Sequence, residues 1–185
     1  LVEIGAWDGI HLSNTYRQFE KNKNLGGFLV ESSQGRFRDL QLNFKNRDNV
    51  ICHCALVTPN NVNAFFSELN ARSNDYNLEN PKDFQLLSID IDGGDWKAWQ
   101  KLDKEKFSPK IIILEEGNWK NPEARRQYQD GFLEDGYNLV AITGNFIFVR
   151  NDLGFKNVDI ELLMKTSRFA EYEFYLGRIT KNEMN

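Results

Sequence analysis

The residues best suited to chemistry in this chain are acids set at or beside the ends of apolar runs. Glu31 closes Phe28-Leu29-Val30-Glu31, and an ionised carboxylate accepts hydrogen bonds from two adjacent hydroxyls, so it suits a diol. Ser32, next in the chain, is placed with it. Asp90, Asp92 and Asp95 crowd together after another apolar run; close carboxylates raise one another's pKa, which fits one of them as a base near neutral pH. Glu115 and Glu116, followed by Asn118, end a third run and suit a polar ligand. The plain alternative is that Asp92 and Asp95 cap the helix that follows. A hard divalent cation held by these acids is a weaker one, and no metal is assigned.

The segment Leu1-Val2-Glu3-Ile4-Gly5-Ala6-Trp7-Asp8-Gly9 has a different character. An apolar run carrying one acid breaks at a glycine, turns, reaches a second glycine and meets a helix-like stretch. Parallel sheets build small-molecule sites in this way, with helix amides facing the crevice. Glu3 lies inside the run, where an unpaired carboxylate is costly, so it is expected to brace the glycine turn through backbone amides. Asp8 either faces a ligand or caps the next helix. Trp7, Trp96, Trp99 and Trp119 are aromatic enough to stack on a ring, although the spacing of Trp96 and Trp99 fits a packed helical face better.

These residues need a scaffold, and the hydrophobic pattern supplies one. Strands are expected over 1–5, 27–31, 50–57, 84–91 and 110–116. Between them fall helical stripes: Leu12, Tyr16 and Phe19, with Ser13 or Asn14 as cap; Phe37, Leu40 and Phe44; Val62, Phe65, Phe66 and Leu69; Trp96, Trp99 and Leu102. Residues 70–84 read as a polar connection. Pro122 can open a helix. Tyr137 to Ile142 and Asn145 to Arg150, joined by Thr143-Gly144, read as an antiparallel hairpin, and 155–180 as a helix. The sum is an α/β doubly wound, mostly parallel seven-stranded sheet with an antiparallel C-terminal hairpin and helices on both faces.

At 185 residues the chain suits one domain, with 1–150 as core and 151–185 as a helical extension; it opens inside a strand, so an upstream piece is expected. A net charge of −4 disfavours a nucleic-acid partner, and no apolar run approaches the ~20 residues of a membrane span. Cys52 and Cys54 sit two apart in a strand, too close for an ordinary disulfide, so reduced thiols and a cytoplasmic location are expected. His53 points the other way and no fourth donor is near, which argues against zinc.

With the residues laid out, the chain resembles the FkbM-type methyltransferases over roughly residues 1–150. The motif of acid, any residue, Gly, Ala, Asn, any residue, Gly is matched by Glu3 to Gly9, with Trp7 in place of Asn. The second strand ends in Glu31. Asp90-Ile91-Asp92-Gly93-Gly94-Asp95 matches the fourth-strand motif, Pro109 to Glu115 the fifth strand, and Gly136-Tyr137 leads into the aromatic hairpin. The resemblance implies a Rossmann-like methyltransferase that uses S-adenosyl-L-methionine. It implies cofactor contacts from Glu3, Gly5, Ala6, Trp7, Asp8, Gly9, Glu31, Ser32 and Asp90, and catalytic roles for Asp90, Asp92 and Glu115. It also implies O-methylation of a small polar or carbohydrate-like acceptor. The alternatives are a catalytically inactive binding or assembly module on the same fold and a nucleotide-dependent oxidoreductase. The latter needs a G-x-G-x-x-G fingerprint that residues 5–10 do not supply.

Overall fold

The computed structural model describes residues 1–73, 84–115, 121–159 and 162–163. Strands and helices alternate as β1 (Val2–Ile4), α1 (Tyr16–Lys21), β2 (Gly27–Glu31), α2 (Gln34–Phe44), β3 (Val50–Cys54), α3 (Val62–Ser73), β4 (Leu86–Ile89), α4 (Asp95–Lys101), β5 (Ile111–Glu115) and α5 (Pro122–Glu134). The hairpin β6 (Tyr137–Ile142) and β7 (Asn145–Arg150) follows. The seven strands form one sheet in the order β3-β2-β1-β4-β5-β7-β6. β1 runs parallel to both β2 and β4, and β2 parallel to β3, whereas β6 and β7 are antiparallel with a register shift between Leu139 and Ala141. The expected doubly wound architecture is therefore present. Contacts divide the chain into two compact units, residues 1–113 and 114–185, with the boundary inside β5.

In the first unit, β3 shows why the sheet is covered on both faces. Successive side chains of a strand point to opposite sides. Cys52 packs against the cluster of Ala6, Phe19, Leu29, Leu40, Phe44 and Val50, which brings in α1 and α2. Its neighbour His53 lies 5.9 Å from Phe65 of α3, and Phe66 on the same helix lies 5.2 Å from Phe107. Both cysteines are free, and burial pushes the Cys52 thiol up to about 11, as suits a packing group. His53 accepts from Arg72 Nη1 at 2.5 Å, in the tautomer that leaves Nδ1 bare. No helix among the described residues is long and apolar enough to cross a membrane.

In the second unit, Pro122 opens α5, and Asn121 Oδ1 accepts from the amides of Glu123 and Ala124 at 3.0 and 3.3 Å. Phe132 of α5 stacks on Phe148 of β7, with centroids 3.8 Å apart. β6 is an outer strand, and the chain after β7 pairs with it: Val158 N donates to Leu139 O at 3.0 Å, and Leu139 N to Asn157 Oδ1 at 2.9 Å. That covers an edge otherwise open to other strands.

Several boundaries move inward. β1, β3 and β4 are shorter than their apolar runs, and β3 stops at Cys54 rather than Val57. The stripe beginning at Leu12 is not one helix: α1 starts at Tyr16, while Leu12 is 80% exposed with φ of 58°. α3 extends to Ser73, into the expected polar connection, whose residues 74–83 lie outside the described residues. Residues 155–159 are not helical; of the remaining expected tail helix only 162–163 are described, and these are helical. Glu116, Asn118 and Trp119 also lie outside the described residues.

Leu29 has no exposed surface, whereas Leu42 is 63% exposed. Leu29→Ala is expected to cost ~2–5 kcal/mol in urea unfolding and Leu42→Ala under ~0.5 kcal/mol; equal costs would contradict the packing described.

Candidate functional site

The register of three parallel strands builds the site. Ile4 pairs with Val30 on one side and Ile89 on the other, so the next residues, Gly5, Glu31 and Asp90, stand at one level. Gly5 N and Ala6 N both donate to Val30 O at 2.9 Å, and Asp90 N donates to Ile4 O at 3.0 Å. The three residues meet at the carboxyl ends of the strands, where open α/β sheets hold ligands.

Gly5 must be glycine there. Its φ is 84°, and a Cβ on it would lie 1.8 Å from the Asp90 carbonyl oxygen. Gly9, at φ of 76°, is likewise tight, since a Cβ would meet the side chains of Phe44 and Leu40 at 2.5 and 2.6 Å. Between them Trp7 adopts φ of 54°, unusual for a bulky residue, and Ala6 is fully buried.

Glu31 is the acid that faces this turn. It is 5% exposed; its Oε2 accepts from Trp7 N at 2.9 Å and its Oε1 from Ser33 N at 2.6 Å. Each oxygen thus takes one of these amide bonds and retains acceptor capacity. Ser32, beside it, is exposed.

Other acids turn out to hold loops. Glu3 does not brace the glycine turn: it accepts from Ser13 Oγ at 2.8 Å, Asn14 N at 2.6 Å and Thr15 Oγ1 at 2.5 Å. Burial raises its pKa, and the Thr15 and Ser13 hydroxyls and backbone amides oppose that rise. These bonds bend residues 13–15 out of helix, so α1 begins late; Ser13 Oγ accepts in turn from Thr15 N and Tyr16 N at 3.2 and 3.1 Å. Asn14 Nδ2 reaches Ser88 Oγ at 3.0 Å, tying the same bend to β4. Asp8 fixes its own turn rather than capping α1. Its Oδ1 accepts from Ile10 N and His11 N at 2.9 and 2.7 Å, and its Oδ2 lies 2.6 Å from His11 Nδ1. Burial pushes the Asp8 carboxyl up, but His11 and the two amides outweigh it and the net shift is downward.

Asp90 is half-buried at the rim, and Asp92 is exposed with φ of 54°. Asp95 is 2% exposed and works backwards along the chain: it accepts from Ile91 N at 2.7 Å and Gly93 N at 3.0 Å, closing the Asp90–Gly94 turn. The cap of α4 is Gly94, without a side-chain bond, so neither Asp92 nor Asp95 caps that helix. Trp99 is fully buried and packs, as its spacing suggested. Glu115 ends β5, half-buried, in the second unit.

Arg36 was not legible as a site residue. It stands in α2, and its guanidinium lies 4.2 Å from the centroid of the Trp7 ring. No motif couples positions 7 and 36; only the fold brings them together.

No family model and no curated protein matches the sequence. Solved structures do match. A protein from Staphylococcus aureus described as a caffeoyl-CoA O-methyltransferase aligns with TM-score 0.55 and 11% identity, over 81% of this chain and 75% of that one. A protein from Pyrococcus horikoshii described as an RNA methyltransferase gives 0.51 and 12%, over 80% and 73%. The fibrillarin pre-rRNA processing protein of Methanococcus jannaschii gives 0.50 and 14%, over 80% and 65%. At these identities the likeness is one of fold. The chain has the Rossmann-like fold of the methyltransferases.

Gly5→Ala is expected to cost at least ~2 kcal/mol, because strain and collision coincide. Gly35→Ala, in α2 with nothing nearer than Ser33 Oγ at 3.9 Å, should stay within ~1 kcal/mol of the parent. A second expectation concerns pH. Burial holds the Asp95 carboxyl above the ordinary range, its amide bonds oppose this, and the Asp92 charge adds to the rise. The folded chain therefore binds that proton more tightly than the unfolded chain. The contribution favours the fold below the ordinary carboxylate pKa and is lost as pH rises through the folded value. Urea unfolding of the parent and of Asp95→Asn should show the parent's advantage shrinking as pH rises above the ordinary carboxylate pKa of ~4; an advantage that grows with pH there would contradict the assignment.

Proposed function

We propose that this chain is an S-adenosyl-L-methionine-dependent methyltransferase of the FkbM-like kind. Its acceptor would be oxygen on a small polar or carbohydrate-like molecule, and its location the cytoplasm. The observation that carries the reading is the meeting of Gly5, Glu31 and Asp90 at one sheet end, with a buried carboxylate that its two amide partners leave unsaturated. The methyltransferase fold of the structural neighbours supports the reading, as does the free thiol pair for the location.

The donor set fits the cofactor. Glu31 offers one open acceptor position on each oxygen, as a ribose diol requires. Gly5, Ala6 and Gly9 keep the turn free of bulk, and an acid-lined rim suits a cationic ligand. When bound, S-adenosyl-L-methionine supplies an electrophilic methyl group on a sulfonium. The protein's own work is then mostly placement, since in-line displacement depends on alignment. Asp90, at the rim, is assigned to orient the acceptor hydroxyl and take its proton on a carboxylate oxygen, with Asp92 beside it in the same turn. Asp95 holds the turn that carries Asp90 and Asp92.

Calorimetry with S-adenosylhomocysteine tests the proposal. Binding in the micromolar range is expected, reduced at least ~tenfold by Glu31→Ala, with circular dichroism showing the variant folded. With labelled cofactor, hydroxylated small molecules should turn over, and Asp90→Asn should slow transfer more than it weakens cofactor binding. Binding of NAD in preference to the nucleoside would favour an oxidoreductase, and binding of neither a module that lost catalysis; both results would overturn the proposal.

A further inference from the structure

Trp7 is the least explained residue of the site. Its backbone sits at φ of 54°, a region that glycine enters freely and a large side chain enters at a cost. Two contacts hold it there. Its amide donates to Glu31 Oε2 at 2.9 Å, and its indole lies under the Arg36 guanidinium at 4.2 Å. Arg36 is itself steadied, with Nη1 3.8 Å from Asp39 Oδ2 one turn along α2. The first contact touches the carboxylate assigned to the nucleoside; the second does not, and Arg36 remains 45% exposed.

We propose that Arg36 is a positioning residue for the nucleoside site. Stacked on Trp7, it keeps the Gly5–Gly9 turn in the one form that leaves the Trp7 amide on Glu31, and so presents Glu31 ready for a diol. This rests on the cofactor reading above. The physical logic is a population effect. If Trp7 relaxes to negative φ, its amide leaves Glu31 and the carboxylate can turn toward other donors. A ligand then meets a competent site only part of the time, and its apparent affinity falls by that fraction. A cation over an indole contributes modestly at an exposed place and more where water is excluded. Two residues on separate elements thereby set the geometry of a third that does the binding.

The idea predicts non-additivity that a merely stabilising contact would not show. Arg36→Met keeps the stem and removes the cation. It should weaken S-adenosylhomocysteine binding by about three- to tenfold, with the thermal midpoint nearly unchanged, and Arg36→Lys should recover part of the loss. In a Trp7→Gly background the turn holds positive φ without help, so Arg36→Met should there leave affinity unaltered. Hydrogen exchange supplies a reading that needs no ligand: the Trp7 amide should lose protection in Arg36→Met, and the Asp90 amide, bonded to Ile4 O, should not. Equal affinity in Arg36→Met and parent, or the same loss in both backgrounds, would overturn the proposal while leaving the cofactor reading intact. Failure of the parent to bind the nucleoside would overturn both.

Discussion

The Asp90 carbonyl oxygen occupies the space that a side chain at position 5 would need, and the rest of the site follows from that close approach. β1 is three residues long, flanked on both sides by parallel strands, and its final carbonyl accepts from the Asp90 amide. Because both ladders end at the same level, the turns after β1 and β4 leave the sheet side by side. Glycine lets them pass at backbone distance. Any other residue would wedge the strands apart and separate Glu31 from Asp90.

Acids that look alike in the chain divide by what surrounds them. Glu3, Asp8 and Asp95 have carboxylates met by amides and hydroxyls of their own or neighbouring turns, and each fixes a bend that bears on the site. Removing such a group would leave buried donors unpaired, which is the larger part of its importance. Glu31 differs in place: like Asp95 it takes one amide on each oxygen, but it stands at the end of β2 and one of its partners is the amide of Trp7 in the glycine turn. A buried acid with acceptor capacity left at a strand end beside the glycine turn suits a ligand, whereas one turned into its own loop suits architecture. The same contrast separates Trp99, sealed in the core, from Trp7, held at the rim in a strained backbone form under a guanidinium.

Much of the fold could be read along the chain. The alternation of strand and helix, the parallel sheet, the antiparallel hairpin and the opposed faces of Cys52 and His53 all follow from local periodicity and from glycine and proline placement. The errors have a common cause. Leu12 completes a helical stripe on paper, but Glu3 draws residues 13–15 into hydrogen bonds that a helix would not permit. Asp95 stands at the start of a helix where a cap is expected, yet its carboxylate turns back to the Ile91 and Gly93 amides. Tertiary partners outcompeted local preference in both places.

By itself the amino-acid order determined which segments become strands and helices and which glycines end them, since those outcomes depend on neighbours a few positions away. Only the tertiary structure decided which acids are taken up by loops and which one faces the turn, and that Arg36 covers Trp7. A carboxylate or an indole takes its character from groups that approach through space, and here those groups arrive from other strands and helices.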